Sequence, residues 1–273
     1  MLKPGVGKVI VDGTLGGGGH AEALLGEGAI VVGIDRDPRS IEAASKRLER
    51  FASRFNPIQG NYADAESLLR ARGLLPVDGI LLDLGISSVQ LDDPARGFSF
   101  QVDGPLDMRM EQQGTTAAEM IRASDEKSLS QILWELGEER FARPIARALK
   151  RSTPETTFQA VEAVKQAVPR RAWPKRIHVA TRTFQALRIA VNRELEALEA
   201  FLAVVPKLLK VGGVAAVISF HSLEDRRVKH RFRELEAASF KRLTRKAIQA
   251  SQTERDQNPR ARSARLRAIE RVQ

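Results

Sequence analysis

The chain has 273 residues, a formal net charge of +10 and a 42% hydrophobic composition, which fits one large domain or one domain with an insertion. It contains no cysteine, which excludes disulfides, thiolate metal sites and cysteine nucleophiles, and its four histidines show no metal-ligand spacing, so we expect no metal site. No apolar run is long enough for a transmembrane helix and the N-terminus lacks a signal-peptide pattern, so we expect a cytoplasmic protein that does not bind a membrane.

Positive charge is concentrated in the second half of the chain. Residues 1–139 hold 14 Lys and Arg against 22 Asp and Glu, whereas residues 140–273 hold 30 against 12. This asymmetry favours a polyanion such as a nucleic acid as partner, because phosphate contacts supply affinity without sequence choice. A solvated, arginine-rich surface is the alternative.

The first predicted elements are a strand, a glycine-rich turn and a helix. The apolar run at residues 9–11 stops at Asp12, and five glycines lie within residues 13–19. A helical pattern then opens at His20 or Ala21. Glycine lets the backbone approach a ligand where a Cβ would clash, and a helix N-terminus offers free N–H groups. This order is typical of the first unit of a nucleotide-binding α/β sheet.

The second predicted strand ends in an acidic residue. Residues 29–34 form an apolar run that stops at Asp35, 22 residues after Gly13. An acid about 20 residues beyond a glycine turn accepts hydrogen bonds from ribose hydroxyls. The turn lacks the Lys and Ser/Thr of a Walker A loop. The pattern therefore predicts a ribose-bearing cofactor, which is NAD, FAD or S-adenosylmethionine.

Later segments predict a parallel sheet interrupted by a helical insertion. Strands are predicted near residues 57–60, at 78–83 and at 213–220, and the segment between the last two is far longer than an ordinary crossover. Helical patterns occupy residues 40–51, 128–136, 140–150 and 157–167. We therefore expect a sheet-forming domain at residues 1–104 and 181–273, with an inserted helical subdomain at 105–180.

The chain is predicted to return to the sheet through one long helix. This helix spans residues 184–209 and is expected to end near Pro206. Two tail segments, 241–247 and 264–269, are predicted strands. A closing antiparallel pair would complete the seven-stranded sheet that is usual in S-adenosylmethionine enzymes.

Motifs along nearly the whole chain resemble one enzyme family. They are VDGTLGGGGH, GIDRDP, DGILLDLGISSVQLDDPARGFSF, GPLDMRM, ATRTFQALRIAVN, ISFHSLEDR and NPRARSARLR. The block from Asp78 to Met110 is the most specific, because a generic Rossmann fold does not require it. The chain resembles the bacterial 16S rRNA (cytosine-N4)-methyltransferases, the ribosomal RNA small subunit methyltransferase H family.

The resemblance implies a fold, an activity and a set of binding residues. It implies an α/β, Rossmann-like S-adenosylmethionine methyltransferase sheet with the inserted helical subdomain described above. It also implies methylation of N4 of a cytidine in the decoding region of 16S rRNA, in the small ribosomal subunit. Family members usually begin further upstream, so we expect either that Met1 is a late start or that the chain is truncated. The implied cofactor-binding positions are Gly18, Gly19, His20, Asp35, Tyr62, Asp83 and Gln90, with Tyr62 beside the adenine and Asp64 as its alternative.

The chemistry suggests candidates for the catalytic role but does not choose among them. The exocyclic amine of cytosine is a poor nucleophile, so transfer needs a near-linear approach and an acceptor on the amine. Asp83 is such an acceptor or a cofactor ligand, Ser87 follows it in the loop, and His221 follows the fifth strand. Helix capping, turn formation and a structural loop are the respective alternatives. Cytosine-C5 methylation is excluded, because it requires a cysteine thiolate.

Several functions remain open at this stage. A methyltransferase acting on cytidine N4 is expected first, with another RNA or DNA amino-methyltransferase as the nearest alternative. A noncatalytic RNA-binding ribosome-assembly factor and an NAD-dependent oxidoreductase belong to other classes. A homodimer is compatible with the sequence.

Overall fold

A computed structural model describes all 273 residues, and the chain divides into two compact units. One unit comprises Met1–Ser87 together with Leu195–Gln273, and the other is Ser88–Glu194. The inserted unit therefore begins earlier and ends later than the residues 105–180 expected from the sequence. No helix is long and apolar enough to cross a membrane.

The secondary structure alternates strands and helices before and after the insertion. The strands are β1 Val9–Asp12, β2 Ile30–Asp35, β3 Phe55–Gln59, β4 Val77–Asp83, β5 Leu209–Ser219, β6 Phe240–Arg242, β7 Ile248–Gln249 and β8 Arg265–Arg271. The α-helices are α1 Gly19–Gly26, α2 Pro38–Arg47, α3 Ala65–Arg70, α4 Ser88–Leu91, α5 Ala117–Ala123, α6 Glu126–Gly137, α7 Ala142–Ser152, α8 Thr157–Ala167, α9 Thr181–Asn192, α10 Glu194–Leu208, α11 Ser222–Glu236 and α12 Gln252–Gln257.

All strands belong to one sheet with the order β3-β2-β1-β4-β5-β8-β6, and β7 also pairs with β8. Strands β1 to β5 are parallel, whereas β8 is antiparallel to β5. The carboxyl ends of β1, β2, β4 and β5 therefore meet at one edge of the sheet, which is where ligands bind in open α/β sheets. The predicted α/β, Rossmann-like fold is confirmed.

The tail completes the sheet through an interrupted strand. Both β6 and β7 pair antiparallel with β8, at Arg242 opposite Ile269 and at Ile248 opposite Leu266. Between them Thr244 Oγ1 accepts a hydrogen bond from the Ala268 amide at 2.9 Å. The predicted strand at 241–247 is wrong beyond residue 242, because β6 ends at Arg242 and β7 begins only at Ile248. These two short strands share one position, so the sheet has seven positions.

The strands form where apolar runs are covered on both faces. Residues of β1, β2 and β4 are almost completely buried, as parallel strands with helices on both faces require. One core cluster contains α10 side chains such as Phe201 and Val205, and a second contains Leu24 and Leu25 of α1. These layers fix the positions of the strand ends.

The prediction of one continuous helix over residues 184–209 is wrong, because the helix is interrupted at Arg193. Arg193 adopts a left-handed conformation with φ of 50° between α9 and α10. Asn192 donates to the Met108 carbonyl at 2.7 Å and accepts from the Met110 amide at 2.8 Å. Arg188 forms a bidentate ion pair with Glu194 at 2.8 and 2.9 Å. These contacts attach α9 to the inserted unit, which therefore extends past residue 180.

The inserted unit also includes the loop that precedes residue 105. The Arg96 guanidinium donates to the carbonyls of Arg109 and Met110 at 2.8 and 2.9 Å. The Thr157 amide donates to the Gly104 carbonyl at 2.9 Å. The predicted helices at 128–136, 140–150 and 157–167 are confirmed as α6, α7 and α8 of this unit. Because its hydrogen bonds run to later residues, the loop folds with the insertion.

Candidate functional site

The glycine-rich turn joins the carboxyl end of β1 to α1. Gly18 has a φ of 79°, and a Cβ added to it would lie 3.2 Å from the Ala44 Cβ, so the fold itself requires glycine there. A Cβ added to Gly19 would meet no atom within 4 Å. Nothing in this chain fills the space beside Gly19, which leaves the backbone open to a ligand at the start of α1.

Asp35 lies at the end of β2 and supports the turn. Its Oδ2 accepts from the Gly16 amide at 2.8 Å, and its Oδ1 accepts from the Asp37 amide at 2.9 Å. Burial raises the pKa of Asp35 to about 6, although the two amides oppose the shift. Because an ionised carboxylate has about four acceptor positions, Asp35 retains capacity for ribose hydroxyls.

Asp83 and His20 come together from the end of β4 and the start of α1. Nε2 of His20 lies 3.3 Å from Asp83 Oδ2, and this hydrogen bond raises the pKa of His20. The Asp83 amide donates to Thr14 Oγ1 at 2.6 Å, which fixes the end of β4 against the turn. Oδ1 of Asp83 is buried without a hydrogen-bond partner. This oxygen is therefore an acceptor with no donor in the chain.

Asp12 is a site residue that the sequence analysis did not select. It ends β1, is completely buried, and has one oxygen, Oδ2, without a hydrogen-bond partner. Burial raises its pKa to about 7; the charges of Asp83 and Asp35 add to the shift, while His20 opposes it. The sequence signal for Asp12 is an acid directly between an apolar run and a glycine turn, a pattern that by itself indicates only the end of a strand.

These groups give the sheet edge a negative character. Asp35, Asp12 and Asp83 end β2, β1 and β4, respectively, and these three strands are adjacent in the sheet. Two of them carry a buried oxygen that accepts no hydrogen bond. Burying such oxygens costs free energy unless a donor pairs with them. The edge therefore favours a ligand that brings hydrogen-bond donors or positive charge, and it disfavours a pyrophosphate.

Tyr62 lies beside the turn, just after β3. A Cβ added to Gly13 would lie 3.3 Å from the Tyr62 Cβ, so the two residues are close neighbours. The Tyr62 ring packs edge-on against Phe201 with 5.9 Å between ring centroids. Asp64, two residues later, is exposed. This arrangement favours Tyr62 rather than Asp64 as the candidate neighbour of an adenine.

Two remaining candidates, Ser87 and Gln90, belong to different units of the chain. Ser87 is near the turn, because its Cβ would lie 3.3 Å from a Cβ on Gly16. Gln90 is 3% exposed and lies in α4 of the inserted unit. The binding role of Gln90 stays a prediction. No group of three or more His, Cys, Asp or Glu side chains is arranged to hold a metal ion.

His221 caps a helix. Its Nδ1 accepts from the Glu224 amide at 3.4 Å at the start of α11. Its Nε2 lies 3.1 Å from Glu224 Oε1 but is not aligned for a hydrogen bond. Glu224 Oε2 in turn accepts from the Phe220 amide at 2.9 Å. Capping accounts for both side chains, and the catalytic role of His221 stays a prediction.

Polar side chains of α9 form hydrogen bonds within the inserted unit. Gln185 donates to the Leu136 carbonyl at 3.1 Å, and Arg182 donates to the Glu138 carbonyl at 3.2 Å. Both contacts join α9 to the end of α6. These side chains therefore attach α9 to the rest of the inserted unit.

Comparison with known proteins identifies the family. The family model described as "MraW methylase family" matches residues 1–272. A protein of Myxococcus xanthus named ribosomal RNA small subunit methyltransferase H is 57% identical over 100% of this chain and 94% of its own length. Proteins of the same name from Anaeromyxobacter and Deinococcus deserti are 53% and 51% identical, over 100% and 99% of this chain and 94% and 89% of their own lengths.

Solved structures are more distant. An rRNA methylase from Streptococcus thermophilus has a TM-score of 0.44 at 13% identity, and the match covers 99% of this chain and 90% of that chain. That likeness is too weak to carry an argument. The family model and the full-length relatives are sufficient by themselves: this chain belongs to the MraW methylase family.

Proposed function

We propose that this protein uses S-adenosylmethionine to methylate N4 of a cytidine in the decoding region of 16S rRNA. The observation that carries the cofactor assignment is the pair of buried carboxylate oxygens, Asp12 Oδ2 and Asp83 Oδ1, which lack hydrogen-bond donors. S-adenosylmethionine is cationic at its sulfonium and ammonium groups, so it suits the negatively charged carboxyl edge of the sheet. The pyrophosphate of NAD or FAD would bring negative charge to the same carboxylates.

The residues present fit this cofactor. The carboxylate of Asp35 would accept from the ribose hydroxyls, and the ring of Tyr62 would lie beside the adenine. The open backbone at Gly19 would contact the cofactor at the start of α1, and the backbone of the preceding Gly18 would contact it from the turn. Asp83, oriented by His20 at 3.3 Å, would face the positively charged end. When bound, the cofactor supplies an electrophilic methyl group.

The proposed reaction is a single nucleophilic displacement. The N4 amine of cytosine would attack the methyl carbon as its carbon–sulfur bond breaks, the neutral thioether would leave with the bonding electrons, and the N4 proton would pass to solvent water. Asp83 has a second candidate role in this reaction. Its Oδ1 would accept a hydrogen bond from the amine and stabilise it as it becomes positive. The chain has no cysteine, so it has no thiolate for attack on C6 and no route to carbon-5 by that chemistry.

The substrate assignment is supported by the relatives and by the charge of this chain. The relatives are named ribosomal RNA small subunit methyltransferases. Residues 140–273 hold 30 Lys and Arg against 12 Asp and Glu, which suits a polyanionic partner. Base flipping would favour a cytidine that is unpaired or weakly paired.

The test is to identify the modified nucleoside. Unmodified 16S rRNA or small subunits are incubated with protein and cofactor, digested, and analysed by mass spectrometry with chromatographic separation of isomers. We expect N4-methylcytidine. A product of 5-methylcytidine or methyladenosine would overturn the assignment, and RNA binding without any methyl transfer would favour a noncatalytic assembly factor.

Asp83→Asn separates the two roles of Asp83. Loss of product together with loss of cofactor binding would keep Asp83 as a cofactor ligand. Loss of product with unchanged cofactor binding would make it the acceptor for the amine. Asp256→Asn is the matched control, because Asp256 is an exposed carboxylate of α12 that we do not place in the site.

A further inference from the structure

The end of the chain brings arginines to the edge of the sheet that carries the candidate site. In the β-sheet register Asp83 of β4 lies opposite Ile218 of β5, which lies opposite Leu266 of β8. Two strand spacings correspond to about 10 Å between Asp83 and this part of β8. Arg265, the first residue of β8, pairs with Ser219, the last residue of β5, and its carbonyl accepts from Ser219 Oγ at 3.3 Å. Arg265 is therefore at the carboxyl edge.

Arg265 carries a charge that its neighbours do not neutralise. Asp225 of α11 binds two guanidinium groups, that of Arg267 at 2.7 and 3.2 Å and that of Arg265 at 3.2 Å. Although burial opposes ionisation, these two arginines lower the pKa of Asp225. One carboxylate and two guanidinium groups together carry a net charge of +1. The Arg267 side chain is 9% exposed, whereas that of Arg265 is 42% exposed, so the surplus faces solvent at Arg265.

Two further arginines lie immediately before Arg265. Arg260 and Arg262 belong to the short 3-10 turn Pro259–Ser263, and both are exposed. The turn is anchored by the buried Ala261 and by the Ala264 amide, which donates to the Ala261 carbonyl at 3.0 Å. An anchored backbone presents these side chains from a fixed position, which lowers the entropic cost of binding an anion.

We propose that Arg260, Arg262 and Arg265 form a phosphate-binding rim that holds the RNA backbone next to the target nucleotide. This inference rests on the proposed function, because it assigns a position to the RNA at the same site. Guanidinium groups suit phosphate oxygens through paired hydrogen bonds. Arg265 lies at the edge where the target base would reach the methyl group, and Arg260 and Arg262 precede it in the chain by five and three residues. The rim would position the strand and contribute no sequence preference.

The test compares two double variants with equal loss of charge. Arg260→Gln/Arg262→Gln removes two charges from the rim. Lys229→Gln/Arg233→Gln removes two charges from exposed positions of α11. Those positions lie about 10 and 16 Å along the helix from its start at the carboxyl edge. Arg265→Gln is a third variant, which leaves the Asp225–Arg267 ion pair in place.

The measured quantities are the KM for unmodified 16S rRNA, the salt dependence of RNA binding, and cofactor binding by calorimetry. We expect the rim variant to raise the RNA KM by about ten-fold and to reduce the slope of log K against log salt by about 1.4, or 0.7 for each single-strand phosphate contact. Cofactor affinity should not change. Arg265→Gln should also raise the KM for RNA, as the rim variant does.

The outcomes separate the rim from the proposed function. If the wild-type protein neither binds RNA nor transfers a methyl group to it, the proposed function fails and the rim fails with it. If the wild type is active and the rim variant has an unchanged RNA KM and salt slope, only the rim is refuted. Equal effects of the rim and α11 variants would also refute it, because position would then not matter.

Discussion

Replacing Asp12 by Asn should stabilise the protein without cofactor and weaken its binding of S-adenosylmethionine. Asp12 is completely buried, and one of its oxygens has no hydrogen-bond donor. Asn would keep the carbonyl oxygen that accepts from the Thr14 amide at 3.2 Å while removing the charge. Residues arranged for a ligand rather than for the fold commonly show this trade-off between stability and activity.

The magnitude follows from the pKa of Asp12, which rises from 3.8 to about 7 in the folded protein. Because the folded state binds this proton more tightly than the unfolded state, ionisation lowers stability as the pH rises from about 4 to 7, and the loss is constant above 7. At about 1.4 kcal/mol for each pH unit, the loss at pH 8 is at most about 4 kcal/mol. Relaxation around the site reduces this value, so we expect Asp12→Asn to gain at least about 1 kcal/mol at pH 8, or about 2–4 °C in Tm.

The assay is thermal unfolding without cofactor at pH 5, 6, 7 and 8, with calorimetric titration of S-adenosylmethionine at the same pH values. The stability gain of Asp12→Asn should shrink as the pH falls below 7. Wild-type affinity for the cofactor should rise between pH 6 and 7, since a cationic ligand favours ionised Asp12, and the variant should bind about ten-fold more weakly with a shallower pH profile. A stability difference that is the same at pH 5 and pH 8, or unchanged affinity, would refute this reasoning.

Three other predictions concern single residues. Asp35→Ala should weaken S-adenosylmethionine binding by about 1–3 kcal/mol in calorimetry, because charge-assisted hydrogen bonds are lost; tight NAD binding without a response to S-adenosylmethionine would contradict this. Gly13→Ala should lower Tm, because the new Cβ would lie 2.5 Å from a side-chain atom of β4, at a cost of about 1–3 kcal/mol. The matched Gly19→Ala should leave Tm unchanged and lower only cofactor affinity. Arg267→Leu should destabilise the protein by about 3–5 kcal/mol in urea unfolding, since it leaves the carboxylate of Asp225 with only its exposed arginine partner; a loss below 1 kcal/mol would argue against this ion pair as a support of β8.

The sequence by itself determined the strands that end at Asp12, Asp35 and Asp83 and the position of the glycine turn. The apolar runs before Asp12, Asp35 and Asp83 have no helical period, and each stops at an acid, so both the element and its end are local properties. The predicted helix at 157–167 coincides with α8, where Thr156 and Gln159 form a capping box. Local hydrogen bonding and periodicity suffice for such elements.

Only the tertiary structure decided where the insertion ends and which side chains meet. The helical pattern through residue 193 is unbroken in the sequence, yet Arg193 adopts a positive φ because α9 is bound to residues 108 and 110 of the inserted unit. Likewise, Asp225 meets Arg267 only through the antiparallel register of β5 and β8. The raised pKa of Asp12 depends on burial and on carboxylates 23 and 71 residues away in the chain, which the parallel sheet brings to one edge. Long-range contacts of this kind leave no local sequence pattern, because they form only when the chain folds.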